Sequence, residues 1–150
     1  MADRYFQSEF RNTVDAKRRL SIPAKFREIL RESFGDETVV VTRGTDFLNA
    51  YPASEWAGIC ERFHAAPPSA DKNRLNRFLI APAVECAFDA QGRIQLPRTL
   101  SDFAGLEKDV VIVGASNRFE IWSLERHLEQ TREVQEFLRE NPGVLSNYGF

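Results

Sequence analysis

Cysteine, histidine, methionine and tryptophan are all scarce in this chain, with two, two, one and two copies among 150 residues. The first two scarcities narrow the chemistry at once. Cys60 and Cys86 stand in no CxxC or other metal-type spacing, and a pair of free thiols in a cytoplasmic protein is the reading they support. His64 and His127 have no nucleophile or ligand cluster beside them, and each reads as a surface helix residue. The chain also lacks a Gly-rich phosphate loop and an HExxH motif. No apolar run approaches the roughly 20 residues of a membrane helix. The start, from Met1 to Phe6, has no apolar segment of the kind a signal peptide needs. Asp15 and Asp89 could be compared with the paired carboxylates of a two-lobed aspartic hydrolase. Each is followed at the fourth position by Arg, which keeps its carboxyl ionised. These absences point away from an enzyme, and no cofactor or metal is expected.

What is present is ordinary in bulk and uneven in detail. Hydrophobic residues make up 43% and charged residues 28%, and twelve Phe supply material for a core. The net charge of −2 argues against a general polyanion binder. Its distribution is lopsided: residues 1–31 carry eight basic and four acidic side chains, a balance of +4 against −6 for the remainder. A basic patch on an acidic body can still attract phosphates locally.

The strongest signal is an internal repeat. At an offset of 74, Asp15-Ala16-Lys17-Arg18-Arg19-Leu20-Ser21-Ile22-Pro23 lies over Asp89-Ala90-Gln91-Gly92-Arg93-Ile94-Gln95-Leu96-Pro97. Farther on the offset becomes 71, with Val39-Val40-Val41 over Val110-Val111-Ile112 and Tyr51 over Trp122. Three residues are therefore missing from the second copy, and the expected place is the loop between its helix and its next strand.

Each copy reads as ββα followed by ββ. An alternating strand, clearest at Val84, Cys86 and Phe88, leads into an Asp-x-x-x-Arg turn. Asp favours turn starts because its carboxylate accepts a backbone N–H two residues on. Gly92 can supply a positive φ at no steric cost. A second short strand follows, and Pro23 or Pro97 opens a helix at its first position. The apolar spacing of Phe26, Ile29 and Leu30 is helical, and Gly35 and Gly105 mark the two helix ends. Strand pairs Val39–Thr42 with Phe47–Tyr51, and Val110–Val113 with Phe119–Trp122, complete the copies. Between them a helix spans about Ser54 to His64, with Ser54 as its cap, and Ser69 caps another running to about Ile80. A long helix from Ser123 to about Glu140 ends the fold at Pro142-Gly143, with Leu124, Leu128, Val134, Phe137 and Leu138 as a possible apolar stripe. Val144 to Phe150 read as a loose end. One ββα unit has too little surface to bury its own apolar faces. Two can interleave into a shared barrel with pseudo-twofold symmetry, which places the two turns in equivalent positions.

At these residues the sequence resembles the MraZ family, whose members carry two SpoVT-AbrB-type half-domains. Asp15 to Pro23 is similar to the family's Asp-x-Lys-Gly-Arg-Leu-x-Ile-Pro, and Asp89 to Pro97 to its second copy. Tyr51-Pro52 with Trp56, Ala104 to Val110, and Val113-Gly114 with Asn117 to Trp122 extend the likeness, which covers about Phe6 to Trp122. Two departures stand out: Arg18 replaces the usual Gly, and Asn49-Ala50 replace larger apolar residues. If position 18 is left-handed, Arg there costs roughly 1–2 kcal/mol. The resemblance implies an α+β fold with a swapped-hairpin β-barrel built from two half-domains, peripheral helices and a long C-terminal helix. Half-domains are expected at 5–53 and 83–123, a helical connector at 54–82 and the C-terminal helix and tail at 124–150. It also implies a ring-like homo-oligomer that binds double-stranded DNA at direct repeats in a promoter, usually one heading a cell-division and cell-wall gene cluster. Such a protein would sit in the cytoplasm with the nucleoid, away from membranes.

Arg19 and Arg93 are the leading site candidates, because Arg presents a planar fork that binds phosphate or a guanine edge bidentately. Asp15 and Asp89 would fix each turn and hold its Arg. Lys17 and Arg18 would add phosphate contacts. Arg27, on the following helix, could reach the DNA backbone or simply face solvent. Two alternatives stay open: an Asp–Arg pair that braces its turn and nothing more, and an assembly protein that binds no specific DNA.

Overall fold

The computed structural model describes residues 5–150; Met1 to Arg4, part of the reading of the chain start, lie outside the described residues. The elements alternate as the repeat requires. The first copy holds β1 (Glu9–Thr13), β2 (Arg19–Ser21), α1 (Ala24–Phe34), β3 (Thr38–Arg43), β4 (Leu48–Pro52) and α2 (Ala53–Ala65). A short α3 (Ala70–Leu75) runs on into a π-helical turn at Asn76–Ile80. The second copy holds β5 (Val84–Ala87), β6 (Arg93–Gln95), α4 (Arg98–Phe103), β7 (Asp109–Gly114), β8 (Phe119–Ser123) and α5 (Leu124–Glu140). A last short helix, α6, spans Gly143–Asn147.

Six strands form one antiparallel sheet in the order β1-β7-β8-β4-β3-β5, and β2 pairs with β6 in a separate two-stranded ladder. The order is a palindrome of the repeat. The first strand of each copy pairs with the third strand of the other: β1 with β7, and β5 with β3. The two copies meet at β4–β8, where Asn49 faces its own equivalent Glu120. In the ladder Leu20 faces its equivalent Ile94. A pseudo-twofold axis therefore passes through both pairs. Neither copy has a complete set of strand partners within itself.

The axis also explains the core. Alternation sends Leu20, Ile22, Ile94 and Leu96 to one side of the ladder, and Val39, Val41, Leu48, Ala50, Val110, Ile112, Phe119 and Ile121 to the facing side of the sheet. Phe26, Ile29 and Leu30 of α1 and Leu100 of α4 join the same cluster, and Leu20, Phe26, Leu100 and Ile94 are completely buried. Phe26 meets Phe6, Phe10 and Phe119 at ring-centroid distances of 5.3, 5.3 and 5.4 Å. Such ring pairs add to the burial of apolar area.

Several local expectations need correction. Pro23 and Pro97 are not first helical residues: with ψ of 138° and 139° they are still extended and cap α1 and α4 from outside. Ser54 does not cap α2; its N–H and Oγ both donate to the Asp36 carboxylate, at 3.0 and 2.7 Å. The three missing residues come out of the helix and not the loop. α1 has 11 residues and α4 only 6, while residues 104–108 make a longer connection than residues 35–37. The tail is not uniformly loose, since α6 occupies most of it. His127 is no simple surface residue: its side chain is 15% exposed, 3.4 Å from Glu9, with its ring edge-on to Trp122.

Other expectations hold. Gly35 ends α1 in the left-handed region at φ 66°, and its N–H donates to the Arg31 carbonyl. Ser69 caps α3 by accepting the N–H of Lys72, while Ser123, read as the first residue of the long helix, stands just outside α5 and caps it by accepting the N–H of Arg126. The repeat also runs farther than the sequence suggests. At the same offset of 71, α2 corresponds to α5, so the contact of Tyr51 with Trp56 (5.6 Å) matches that of Trp122 with His127 (6.0 Å). Asn49, polar where a larger apolar residue was expected, is 8% exposed, and its Oδ1 accepts the Arg118 Nε–H at 3.1 Å. No helix among the described residues is long and apolar enough to cross a membrane.

Candidate nucleic-acid interface

The two Asp-x-x-x-Arg turns are built alike, bond for bond. In the first, Asp15 Oδ1 accepts the backbone N–H of Lys17 (2.9 Å) and of Arg19 (2.8 Å), while Oδ2 accepts the Arg19 Nε–H (2.7 Å). In the second, Asp89 Oδ1 accepts the N–H of Gln91 (2.9 Å) and Arg93 (3.0 Å), while Oδ2 accepts the Arg93 Nε–H (2.8 Å). Each carboxylate thus shapes the backbone with one oxygen and aims the guanidinium with the other. The backbone N–H donated by Arg19, followed by the Arg19 side chain and the Lys17 N–H, lowers the Asp15 carboxyl pKa below its ordinary 3.8. Arg93 and Gln91 act in the same way on Asp89. Hydrogen bonds to the charged form always act in this direction.

The residue before each Arg is left-handed. Gly92 has φ 77°, and Arg18, with a side chain to accommodate, has φ 60°. The conformation has a purpose across the axis. The Arg18 carbonyl accepts the Leu96 N–H at 2.9 Å, and the Gly92 carbonyl accepts the Ile22 N–H at 3.1 Å. Each turn is therefore finished by the other copy.

The turns feed β2 and β6, and the ladder brings their arginines together. Its register is Arg19 opposite Gln95, Leu20 opposite Ile94, and Ser21 opposite Arg93. Side chains alternate between the faces of a strand, and Leu20 and Ile94 are wholly buried. Arg19, Ser21, Arg93 and Gln95 consequently share the outward face. Diagonal neighbours on such a face lie about 7–8 Å apart, which is the relation of Arg19 to Arg93. Both arginine side chains are half-buried, at 33% and 25% exposure. Their Nε groups are committed to aspartate, and the Nη ends make no hydrogen bond among the described residues. The result is two forks held by acids, side by side on a two-stranded ribbon.

The remaining candidates take different places. Lys17 is exposed at the tip of the first turn. Arg18 leans towards α4, with its guanidinium 3.8 Å from the Asp102 carboxylate, which Arg98 also approaches at 3.8 Å. Arg27 neither projects freely nor joins the ribbon face. Its Nε–H donates to the Ile22 carbonyl at 3.2 Å, and its guanidinium lies over Gly92, where a Cβ would stand 2.6 Å from Arg27 Cζ. Gly92 is thus needed twice, for its φ and for its lack of a side chain beneath Arg27. The position equivalent to Arg27 is Ser101, which is small and buried. That exchange accompanies the tolerance of Arg, and not Gly, in the first turn.

Ser21 and Gln95 were not singled out from the sequence. The signal was present in the alternation of Leu20-Ser21-Ile22 and Ile94-Gln95-Leu96. It needed the cross-copy register to show that these residues stand beside the arginines.

Similarity to known proteins follows the same twofold repeat. The family model for the antitoxin-like MraZ protein matches residues 5–78 and again residues 79–143, one match per copy. The chain is 46% identical over 148 residues to the transcriptional regulator MraZ of Syntrophotalea carbinolica, covering 97% of this chain and 99% of that one. It is 45% identical over 146 residues to the protein of the same name from Pediococcus pentosaceus, covering 96% and 99%. Over 128 residues it is 48% identical to that of Limosilactobacillus reuteri, covering 84% and 87%. With both copies matched and relatives aligned nearly end to end, the chain belongs to the MraZ family.

Proposed function

We propose that this protein is a transcriptional regulator that binds double-stranded DNA in a sequence-specific manner through the β2–β6 ribbon. The observation that carries the reading is the placement of Arg19 and Arg93 on one outward face, each braced by its own aspartate. The major groove of B-DNA admits a two-stranded β-ribbon, and an Arg fork suits the O6 and N7 of guanine. Asp15 and Asp89 would set the angle of the forks without touching DNA. Lys17 and Arg18 would position the ribbon on the phosphates, and Arg27 would stiffen the second turn from behind. The similarity to proteins named transcriptional regulator MraZ supports the same role.

The fold in this reading is a swapped-hairpin barrel. The exchanged pairings β1–β7 and β5–β3 support it, as does the Val14–Leu20 bridge that ties β1 to β2. The barrel-forming half-domains would span 5–53 and 83–123, with the equivalent helices α2 and α5 following them. The working form would be a ring-like oligomer, in the cytoplasm with the nucleoid, on direct repeats in a promoter of a cell-division and cell-wall cluster. An acidic chain has few charges for non-specific binding, whose strength scales with the phosphates neutralised. Linked sites raise avidity by roughly 10²–10⁴. The exposed Leu128, Val134 and Phe137 on α5 support a protein contact there.

The test is a titration of a promoter fragment with Arg19→Ala and Arg93→Ala at fixed salt. Each should lose about 1–3 kcal/mol of binding while still folding, as a cooperative thermal transition shows. Normal binding by both variants sinks the ribbon reading. Light scattering on the free protein checks the oligomer, and a monodisperse monomer sinks that part alone.

A further inference from the structure

We propose that Gln95 is a specificity-determining residue that reads an adenine and, through its mismatch with Ser21, gives the ribbon a direction on DNA. The inference rests on the DNA-binding reading above and adds a residue and a base to it. Gln95 is exposed on the outward face of β6, directly opposite Arg19 and two residues along the strand from Arg93. It is also oriented: its Nε2 donates to the Lys17 carbonyl of the first turn at 3.3 Å. A carboxamide has two N–H donors and one carbonyl acceptor. With one N–H spent on Lys17, the second N–H and Oε1 remain as an adjacent donor and acceptor. That pair matches adenine, which offers N7 as acceptor and N6–H as donor in the major groove. The arginine forks beside it carry donors alone and suit guanine.

The pseudo-twofold axis turns this into a statement about polarity. The axis through Leu20 and Ile94 exchanges Arg19 with Arg93, so the arginines by themselves present the same face in either orientation. It exchanges Gln95 with Ser21, whose short hydroxyl cannot make the two-point contact of a carboxamide. The turn tips differ in the same sense, Lys17 on one side and Gln91 on the other. A ribbon with a Gln at one end of its outward face and a Ser at the other binds an asymmetric site better one way round. Gln95 is tethered to the first turn and belongs to the second copy, so the preferred orientation is fixed within each chain.

The experiment uses the full chain and a duplex library with a randomised 20-base-pair centre. Wild type, Gln95→Ser and Ser21→Gln are each put through binding selection, with thermal unfolding as a control for folding. Wild type should enrich an asymmetric site containing a required A·T pair. Gln95→Ser should lose that requirement and enrich a more nearly palindromic site. Ser21→Gln should gain a second A·T requirement at the symmetry-related position. On the selected wild-type duplex, 7-deazaadenine at the required position removes N7. It should weaken wild-type binding about 5- to 150-fold and leave Gln95→Ser indifferent. If wild type enriches a site and Gln95→Ser enriches the same site with the same weights, the role of Gln95 is refuted while the DNA-binding reading stands. If wild type enriches nothing, both fall.

Discussion

Gly92→Ala tests whether the second turn is held by sterics as the structure describes. Two costs are separable. The first is the left-handed backbone, φ 77° at this position, where a Cβ costs roughly 1–2 kcal/mol. The second comes from Arg27, whose Cζ and Nε would lie 2.6 and 2.7 Å from the new Cβ. The guanidinium ends a flexible side chain and can swing aside, but it then gives up its 3.2 Å bond to the Ile22 carbonyl, a loss of about 1 kcal/mol. Against these stands the smaller entropy of the unfolded chain with Ala, about 0.4–1 kcal/mol in the other direction. The net is a destabilisation of about 2 kcal/mol, or about 4–8 °C in melting temperature for a chain of this size. The assay is urea unfolding at fixed protein concentration in two backgrounds. With Arg27→Ala already in place the second cost has gone, and Gly92→Ala should cost about 1 kcal/mol. The coupling of about 1 kcal/mol exceeds the scatter expected for independent sites. A wild-type midpoint for Gly92→Ala, or the same loss in both backgrounds, would refute the account of Arg27 lying on the turn.

The first turn should behave in the opposite sense. Arg18→Gly relieves the strain at φ 60° and gives up only the 3.8 Å approach to Asp102, so its stability should rise by about 0–1 kcal/mol once the flexibility of Gly is counted. It should also bind DNA with a shallower salt dependence, and a lower melting temperature would contradict the strain. Because Asp15 and Asp89 have pKa values lowered below 3.8 in the fold, their contribution is full above that pH and is lost as the pH falls through the folded values. Carboxyl NMR titrations should give both midpoints below 3.8, and a midpoint at or above that value removes the charged-carboxylate account of the turns. Burial, then the nearby Glu85 charge, pushes the Cys86 thiol up to about 11, so it should resist alkylation at pH 8 in the native protein and react once urea exposes it; rapid native labelling at Cys86 would count against the packing of β5.

The fold was legible in the sequence because it is written twice. A single Asp-x-x-x-Arg says little, but Leu20 over Ile94 and Val39 to Val41 over Val110 to Ile112 fixed the strands, the turns and their equivalence. What stayed hidden depended on contacts between the copies. Arg27 read as a charge on a helix face, because nothing local shows that Gly92 of the other copy lies beneath it. Ser54 read as a cap, because Asp36, 18 residues earlier, was not known to reach it. His127, on α5, read as a surface residue because Glu9 reaches it from β1, at the other end of the chain. The correspondence of α2 with α5 escaped because a helix face preserves spacing more than identity, as with Trp56 over His127.

The same dependence locates the candidate site in the pair of copies and not in either one. Separated, β2 would expose Leu20 and leave its outward arginine without the opposing strand, and β6 would do the same with Ile94. The Arg18 and Gly92 carbonyls would each lose the N–H they accept, from Leu96 and Ile22, and at Arg18 the left-handed strain would stand without that bond. Yet the Asp–Arg braces are local, made within four residues of chain. The turn therefore supplies the shape of each fork, and the exchange of strands supplies the spacing between forks. The proposed base recognition would need both, because a well-formed Arg fork on a mobile hairpin fixes no register along a duplex. Joining the two half-units in one chain makes that spacing a property of folding, independent of protein concentration. It also lets the two ends of the ribbon differ, as Ser21 and Gln95 do.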